Sequence, residues 1–308
     1  MSAPGHEPEP ASLRGVLIQQ LLVALIWGGT WIAGRIVSSE LPALTAASWR
    51  FLLGGLTLGA LVWRAEGRLP PLRRADLLAV IVLGVVGVFA YNLCFFYGLQ
   101  HIQAGRGALV VALNPVAVAL GAALLVGERL SPLRNLGVAI ALVGCLFVIG
   151  RGNPLSLLRG EVGVGEIAII GCVFAWATYT LLGRRLTRTL TPLTMTFYAA
   201  VAGGLMLFVT GMVHGELRHW PQASPTGWIA LAYLGILGSG LSYVWYAKGV
   251  QRLGATRTAA FINLVPVFAV AMGAAFLGER IGLATLAGGA LVLAGVALTN
   301  RPARRTSA

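Results

Sequence analysis

Ten times along 308 residues the chain runs apolar for about the 20 residues that a helix needs to cross roughly 30 Å of hydrocarbon. The stretches lie near 16–36, 43–63, 76–98, 104–126, 133–150, 163–183, 192–213, 226–247, 255–277 and 281–299. In lipid the backbone must satisfy its own hydrogen bonds, and a helix does so within each segment. The fold class that follows is an all-α membrane protein of ten transmembrane helices. Composition agrees: 57% of residues are hydrophobic and 11% charged, against about 25% charged in a soluble domain. The connections are too short to hold a separate domain with its own core.

Net charge is +13, yet the charges follow the loops and form no single basic patch, which argues against nucleic acid as a partner. With the N-terminus placed in the cytoplasm, sixteen Lys and Arg fall on that side and six on the other, Arg50 inside a span being set aside. The positive-inside rule then puts both termini in the cytoplasm, and the excess reads as topology and contact with anionic lipid. Residues 1–13 (MSAPGHEPEPASL) are Pro-rich and lack a basic n-region, so no cleavable signal is read there. They and RPARRTSA at 301–308 are read as disordered tails. Cys94, Cys145 and Cys172 all fall in spans, as small buried apolar residues.

Asn114-Pro115 interrupts the fourth span, where proline removes a helix hydrogen bond and clashes with the preceding turn. A shift of 151 residues lays VALNPVAVALGAALLVGER (111–129) on INLVPVFAVAMGAAFLGER (262–280). At that shift Gly98 meets Gly249, Arg106 meets Arg257, Pro115 meets Pro266, Gly127-Glu128-Arg129 meets Gly278-Glu279-Arg280, and Gly144 meets Gly295. Ahead of the third span a shift of 149 pairs Trp27 with Trp176 and Gly54-Gly55-Leu56 with Gly203-Gly204-Leu205. The chain is therefore two repeats, 14–150 and 163–300, joined by an extracytoplasmic linker at 151–162. Five spans per repeat is an odd number, so the second copy enters the membrane from the opposite side: the architecture is two inverted-topology five-helix repeats. Inverted repeats with helices interrupted at matching places point to a transporter whose substrate sits near mid-membrane between them.

The pattern LGATRTAAFINLVPVFAVAMGAAFLGERI, its weaker twin QAGRGALVVALNPVAVALGAALLVGERLS and the Gly-rich final span GGALVLAGVAL resemble the two EamA domains of the drug/metabolite transporter superfamily. WGGTW in the first span and SWRF in the second are similar to that family's opening spans. The resemblance covers about residues 16–300. It implies a ten-helix exporter, often of amino acids or related metabolites, working by alternating access, and it is similar in outline to aromatic amino-acid exporters.

A polar cavity in lipid should show as aromatic and amide side chains inside spans. Trp27 and Trp31 share a face of the first span, with Trp176 and Thr180 as repeat counterparts and Tyr179 beside them. Tyr91, Asn92 and Phe95 cluster in the third span, and Ser239, Ser242, Tyr243 and Tyr246 in the eighth, while Asn114 and Asn263 flank the broken regions. Arg50 lies about seven residues, roughly 10 Å, into its span, where it either snorkels to the headgroups, latches the outer gate, or meets a substrate carboxylate. The candidate substrate-binding set is Trp27, Trp31, Arg50, Tyr91, Asn92, Phe95, Asn114, Trp176, Tyr179, Ser242, Tyr243 and Asn263, with Pro115 and Pro266 as hinges. Competing structural readings are the interfacial belt for the aromatics and close helix packing for the glycines. Glu128-Arg129 and Glu279-Arg280 read as helix-end or inter-loop contacts, and Arg106 and Arg257 as contacts to lipid phosphate in preference to substrate.

None of the ten acids falls at mid-span, and His6, His101, His214 and His219 lie in loops or tails. Proton-driven carriers relay through intramembrane carboxylates or histidines, so a facilitator or an exporter driven by the substrate gradient is expected; Glu166, at the start of the sixth span, is the acid to watch. With no acid pair, His or HExxH-like spacing in the spans, no enzyme, catalytic residue, metal or cofactor is expected. The function read is export of small metabolites, amino acids foremost and aromatic or bulky neutral ones favoured. The alternatives are efflux of drugs or lipophilic cations and translocation of lipid-linked substrates. Expected partners are the small-molecule substrate and membrane lipids. No oligomeric state follows, a monomer being sufficient, and the compact chain suits a bacterial inner membrane.

Overall fold

The computed structural model describes residues 13–126, 130–155, 162–186, 191–217 and 222–300. Residues 1–12 and 301–308 of the tails, half of the linker (156–161), and the Glu128-Arg129 contact lie outside the described residues. The spans are α1 (Leu13–Glu40), α2 (Ala43–Glu66), α3 (Arg74–His101), α4 in two pieces (Ala104–Val111 and Asn114–Val126), α5 (Pro132–Ile149), α6 (Val164–Leu186), α7 (Pro192–Val213), α8 (Pro225–Leu253), α9 in two pieces (Ala255–Ile262 and Val265–Leu277) and α10 (Leu283–Thr299). Among the described residues nine helices are long and apolar enough to cross a membrane, and α10 adds an apolar helix of 17 residues. Three of them start alike: Ser131, Thr191 and Ser224 each accept a hydrogen bond from a backbone N–H three residues on, with proline in the first helical position. Proline costs nothing there, because that N–H has no helical partner anyway.

The third span of each half packs on the first two of the other. Thus α3 lies against α6 and α7, and α8 against α1 and α2. Two glycines make these approaches possible, and they are repeat counterparts at the 151 shift. A methyl on Gly84 would stand 2.9 Å from Gly203 N and 3.0 Å from Ala199 O; one on Gly235 would stand 3.1 Å from Gly54 N and 3.0 Å from Arg50 O. Gly203 and Ala199 are themselves the counterparts of Gly54 and Arg50 at the 149 shift. The same contact recurs with the roles of the halves exchanged, as a two-fold axis in the membrane plane requires.

Interruptions recur too. Both α4 and α9 break over two residues, Ala112-Leu113 and Asn263-Leu264, and resume with proline in the first turn. At each break an i→i−3 bond replaces the helical one, Leu113 N to Val110 O (3.1 Å) and Leu264 N to Phe261 O (3.0 Å). Pro115 and Pro266 offer no N–H to the carbonyls four residues back, those of Val111 and Ile262. Wide π-helical turns at Gly84–Ala90 in α3 and Tyr233–Leu241 in α8 end one residue before counterpart positions, Tyr91 and Ser242. Such turns mark functional segments, and nearby side chains take up carbonyls there: Asn92 Nδ2 donates to Val88 O (2.7 Å) and Ser242 Oγ to Leu237 O (2.5 Å).

Candidate functional site

Where the interruptions of both halves meet, a cavity of about 490 Å³ opens, lined by residues of α1 to α6 and α8 to α10. Its innermost wall carries Arg50 and Trp31; from there it runs to Leu130, Arg134, Thr299 and Asn300. Those last four lie at the membrane face where α1 begins and α10 ends, here called the terminal face.

Two aromatic groups frame the cavity, one from each pairing of halves. Trp27 of α1 packs edge-on to Tyr243 of α8 (5.6 Å between ring centres) and beside Tyr246 (5.4 Å), its Nε1 donating to Gly238 O at 3.1 Å. Trp176 of α6, the counterpart of Trp27, lies 6.1 Å from Tyr91 of α3. The π-helical glycines admit side chains beside these groups: a methyl on Gly87 would collide with the Tyr179 ring, and one on Gly238 would stand 2.7 Å from Thr30 Cγ2.

Arg50 is 9% exposed, its guanidinium 5.3 Å from the Phe95 ring and 5.6 Å from that of Phe51. Nε donates to Ser239 Oγ (3.2 Å), and Nη1 is buried with no hydrogen-bond partner. No acid is among the cavity's lining residues. Two further buried atoms without partners belong to lining residues, Asn92 Oδ1 and Asn114 Oδ1. The Asn92 amide is fixed by its bond to Val88 O, which only the Nδ2 end can make, so its oxygen is the free end. The cavity therefore holds one unmatched cationic donor and two unmatched acceptors.

Of the residues singled out from sequence, Trp27, Trp31, Arg50, Tyr91, Asn92, Asn114, Trp176, Tyr243, Asn263, Pro115 and Pro266 line this cavity together. Phe95 instead sits 2% exposed behind it, edge-on to Trp31 (5.1 Å) and stacked with Tyr91 (6.2 Å). Tyr179 lines a small adjoining void with Trp176, Ser239 and Tyr243, and the buried Ser242 hydroxyl is engaged by Leu237 O. Sequence reasoning overlooked Thr30 and Phe51 as lining residues, and Ser239 as the partner of Arg50.

At the face opposite the terminal one, polar contacts tie the helix ends together. Arg106 is buried, bonded to Glu166 of α6 and to the α5 carbonyls of Val148 (3.2 Å) and Ile149 (3.0 Å). This corrects the reading of Arg106 as a lipid contact: its guanidinium is spent within the protein. Glu279, beyond α9, accepts hydrogen bonds from Ala104 N (2.6 Å) and Gly105 N (3.0 Å) at the start of α4, where a carboxylate also suits the helix dipole. On the same face Glu40 accepts from Ser224 N (2.7 Å) and Oγ (2.8 Å), and Arg35 donates to Leu99 O.

Interlocked inverted repeats around a polar mid-membrane cavity define a membrane transporter. Sequence profiles narrow this: the EamA-like transporter family matches residues 14–150 and again 163–301. The chain belongs to that family. It is 29% identical over 281 residues to the uncharacterized transporter YyaM of Bacillus subtilis (strain 168), spanning 91% of this chain and 92% of that one. It is 30% identical to a probable terminal-alkyne amino-acid exporter of Streptantibioticus cattleyicolor, again over 91% and 92% of the two chains. The uncharacterized inner membrane transporter YedA of Escherichia coli (strain K12) is 30% identical over 89% of this chain and 87% of its own. A solved crystal structure superposes with a TM-score of 0.63 at 22% identity, over 92% of this chain and 97% of that one, and shares the fold.

Proposed function

We propose that this transporter exports amino acids, aromatic or bulky neutral ones in particular, by alternating access around the cavity between the repeats. One observation carries the reading: the unpartnered atoms of the cavity wall complement an amino-acid zwitterion. Arg50 Nη1 seeks an anionic acceptor, and Asn92 Oδ1 and Asn114 Oδ1 seek donors, which are the demands of a carboxylate and an ammonium group. The Trp and Tyr walls suit an apolar side chain, and about 490 Å³ lies within the usual range of small-molecule sites, roughly 300–1,000 Å³. The name of the Streptantibioticus cattleyicolor relative supports the same class. A lipophilic cation would meet Arg50 with no acid to offset it, which weighs against drug-cation efflux. The charge asymmetry of the loops supports a terminal face on the cytoplasmic side of a bacterial inner membrane, with export proceeding from the cavity mouth seen here.

Counterflow in proteoliposomes tests this without any imposed ion gradient. Labelled phenylalanine is expected to accumulate against preloaded unlabelled phenylalanine. Phenethylamine, lacking the carboxylate, and phenylpyruvate, lacking the ammonium, are each expected to compete at least about tenfold more weakly, since each leaves buried polar groups unmatched. Absence of counterflow for every neutral amino acid would reject the substrate class. Counterflow that runs only with an imposed proton gradient would reject a carrier cycling without ion coupling.

The hinge assignment makes a separate prediction. Replacing both Pro115 and Pro266 with alanine supplies an N–H to the Val111 and Ile262 carbonyls and makes α4 and α9 stiffer. The maximal exchange rate is expected to fall on the order of tenfold while half-saturation moves less than about twofold, the pattern of a conformational step impaired without loss of binding. An unchanged maximal rate would remove the hinge role from both prolines.

A further inference from the structure

The repeat is symmetric in sequence over most of the chain, but its polar contacts are not. On the opposite face the first piece of α4 packs against the second piece of α9. The exchanged pair, the second piece of α4 and the first piece of α9, would meet at the terminal face if the symmetry were kept; the cavity runs between them instead, touching Ala119 and Ala122 on one and Ala259 and Ile262 on the other. The molecule is thus closed at one face and open at the other, and something must favour this arrangement over its mirror.

The ion pair Arg106–Glu166 has the required asymmetry. Its arginine has a repeat counterpart, Arg257, but that residue is exposed, and the position matching Glu166 is Leu17, 39% exposed and apolar. Among the described residues the terminal face therefore has no counterpart to the pair. At the closed face the pair joins three elements: α4 through Arg106, α6 through Glu166, and α5 through the Val148 and Ile149 carbonyls. The Glu279 cap adds α9 to the same cluster. In sequence Glu279 has a repeat match, Glu128, so the asymmetry of sequence lies in the Arg106–Glu166 pair; Glu128 lies outside the described residues.

We propose that Arg106 and Glu166 form a one-sided lock that holds the opposite face shut and sets the resting orientation with the cavity open at the terminal face. The inference rests on alternating access and not on the identity of the substrate. Removing one partner of a buried pair leaves an uncompensated charge in the closed face, whereas opening that face lets water reach it. Glu166→Gln should therefore shift the population toward the state open at the opposite face.

The test reads both faces of full-length protein in detergent, in a background with Cys94, Cys145 and Cys172 replaced by alanine. A single cysteine replaces either Ile102, 4% exposed in the closed face beside Gly107 and Gly165, or Ile262, on the cavity wall toward the terminal face. Maleimide labelling is then timed with and without Glu166→Gln. The expected result is reciprocal: labelling at position 102 faster on the order of tenfold, and labelling at position 262 slower, as a shift between two states demands. Rates that stay the same at both positions, or that rise together as in a loosened fold, overturn the lock. No substrate enters the measurement, so its failure leaves the amino-acid reading standing, and a failed counterflow assay leaves the lock standing.

Discussion

Arg50→Met is expected to abolish amino-acid transport while leaving the protein as thermally stable as the parent or more so. The two halves of that expectation come from the same observation. A guanidinium 9% exposed, with Nη1 unpartnered and no acid on the wall it faces, is costly to keep: burial of a charge without its counter-charge opposes folding. The two ring contacts at 5.3 and 5.6 Å and the bond to Ser239 offset part of this. Replacing Arg50 by an apolar chain of similar length removes the desolvation cost and keeps most of the packing, so the melting temperature should hold or rise. For a carboxylate-bearing substrate the change takes away its counter-charge, and loss of one partner of a desolvated charge pair costs about 2–5 kcal/mol. By the tenfold per 1.4 kcal/mol conversion that is roughly 30-fold to several thousand-fold in affinity. Equilibrium binding of labelled phenylalanine and thermal unfolding in detergent check the two halves separately. A large fall in melting temperature with binding intact would make Arg50 a structural residue that snorkels or braces α2 against α8, and would remove it from the site.

How far the site could be read beforehand depended on how local its signals were. Span length and apolarity are local, and the ten stretches match the ten helices to within a few residues. Pro115 and Pro266 stand just past breaks that recur at the same repeat shift, because proline acts on its own helix. What escaped detection depends on partners far away in the chain. No spacing rule joins Arg106 to a glutamate 60 residues on, so its charge at a helix start read as a lipid contact. The π-helical turns were likewise hidden. Gly84 and Gly87 recur as Gly235 and Gly238 at the 151 shift, but paired glycines read equally well as ordinary close packing. Ser242 shows the consequence: its place among polar residues of α8 suggested a ligand contact, yet the wide turn leaves Leu237 O within its reach, and the hydroxyl is consumed there. Phe95 faces the right way for the cavity and is held back from it by Trp31 and Tyr91 in front.

The largest effect on folding is expected at the contact of α5 with α10, where Gly144→Val and Gly295→Val should each prevent recovery of folded protein or lower its melting temperature by more than about 10 °C. These two helices approach backbone to backbone. A methyl on Gly144 would stand 2.6 Å from both Gly288 O and Val292 N, and one on Gly288 2.8 Å from Gly144 O. One on Gly137 would stand 2.7 Å from Gly295 O, and one on Gly295 2.5 Å from Gly137 O. Gly144 pairs with Gly295, and Gly137 with Gly288, at the repeat shift of 151, so the two-fold axis passes between these helices and each collision occurs twice. The size of the effect follows from what would have to move. Overpacking in a core costs about 1–3 kcal/mol when side chains can adjust, but here the obstructing atoms are carbonyl oxygens and amide nitrogens, and relief requires the helices to separate. In lipid, helix association depends on close packing and not on a hydrophobic drive, so separation also loses most of what holds the pair. Gly55→Ala serves as the control: no atom lies within 4 Å of a methyl there, and alanine in mid-helix should hold or slightly raise stability, by about 0.5–1 kcal/mol. Thermal unfolding of the purified variants decides it. A Gly144→Val variant that melts with the parent would mean that α5 and α10 do not approach this closely, and the pseudo-symmetric axis would have to be drawn elsewhere.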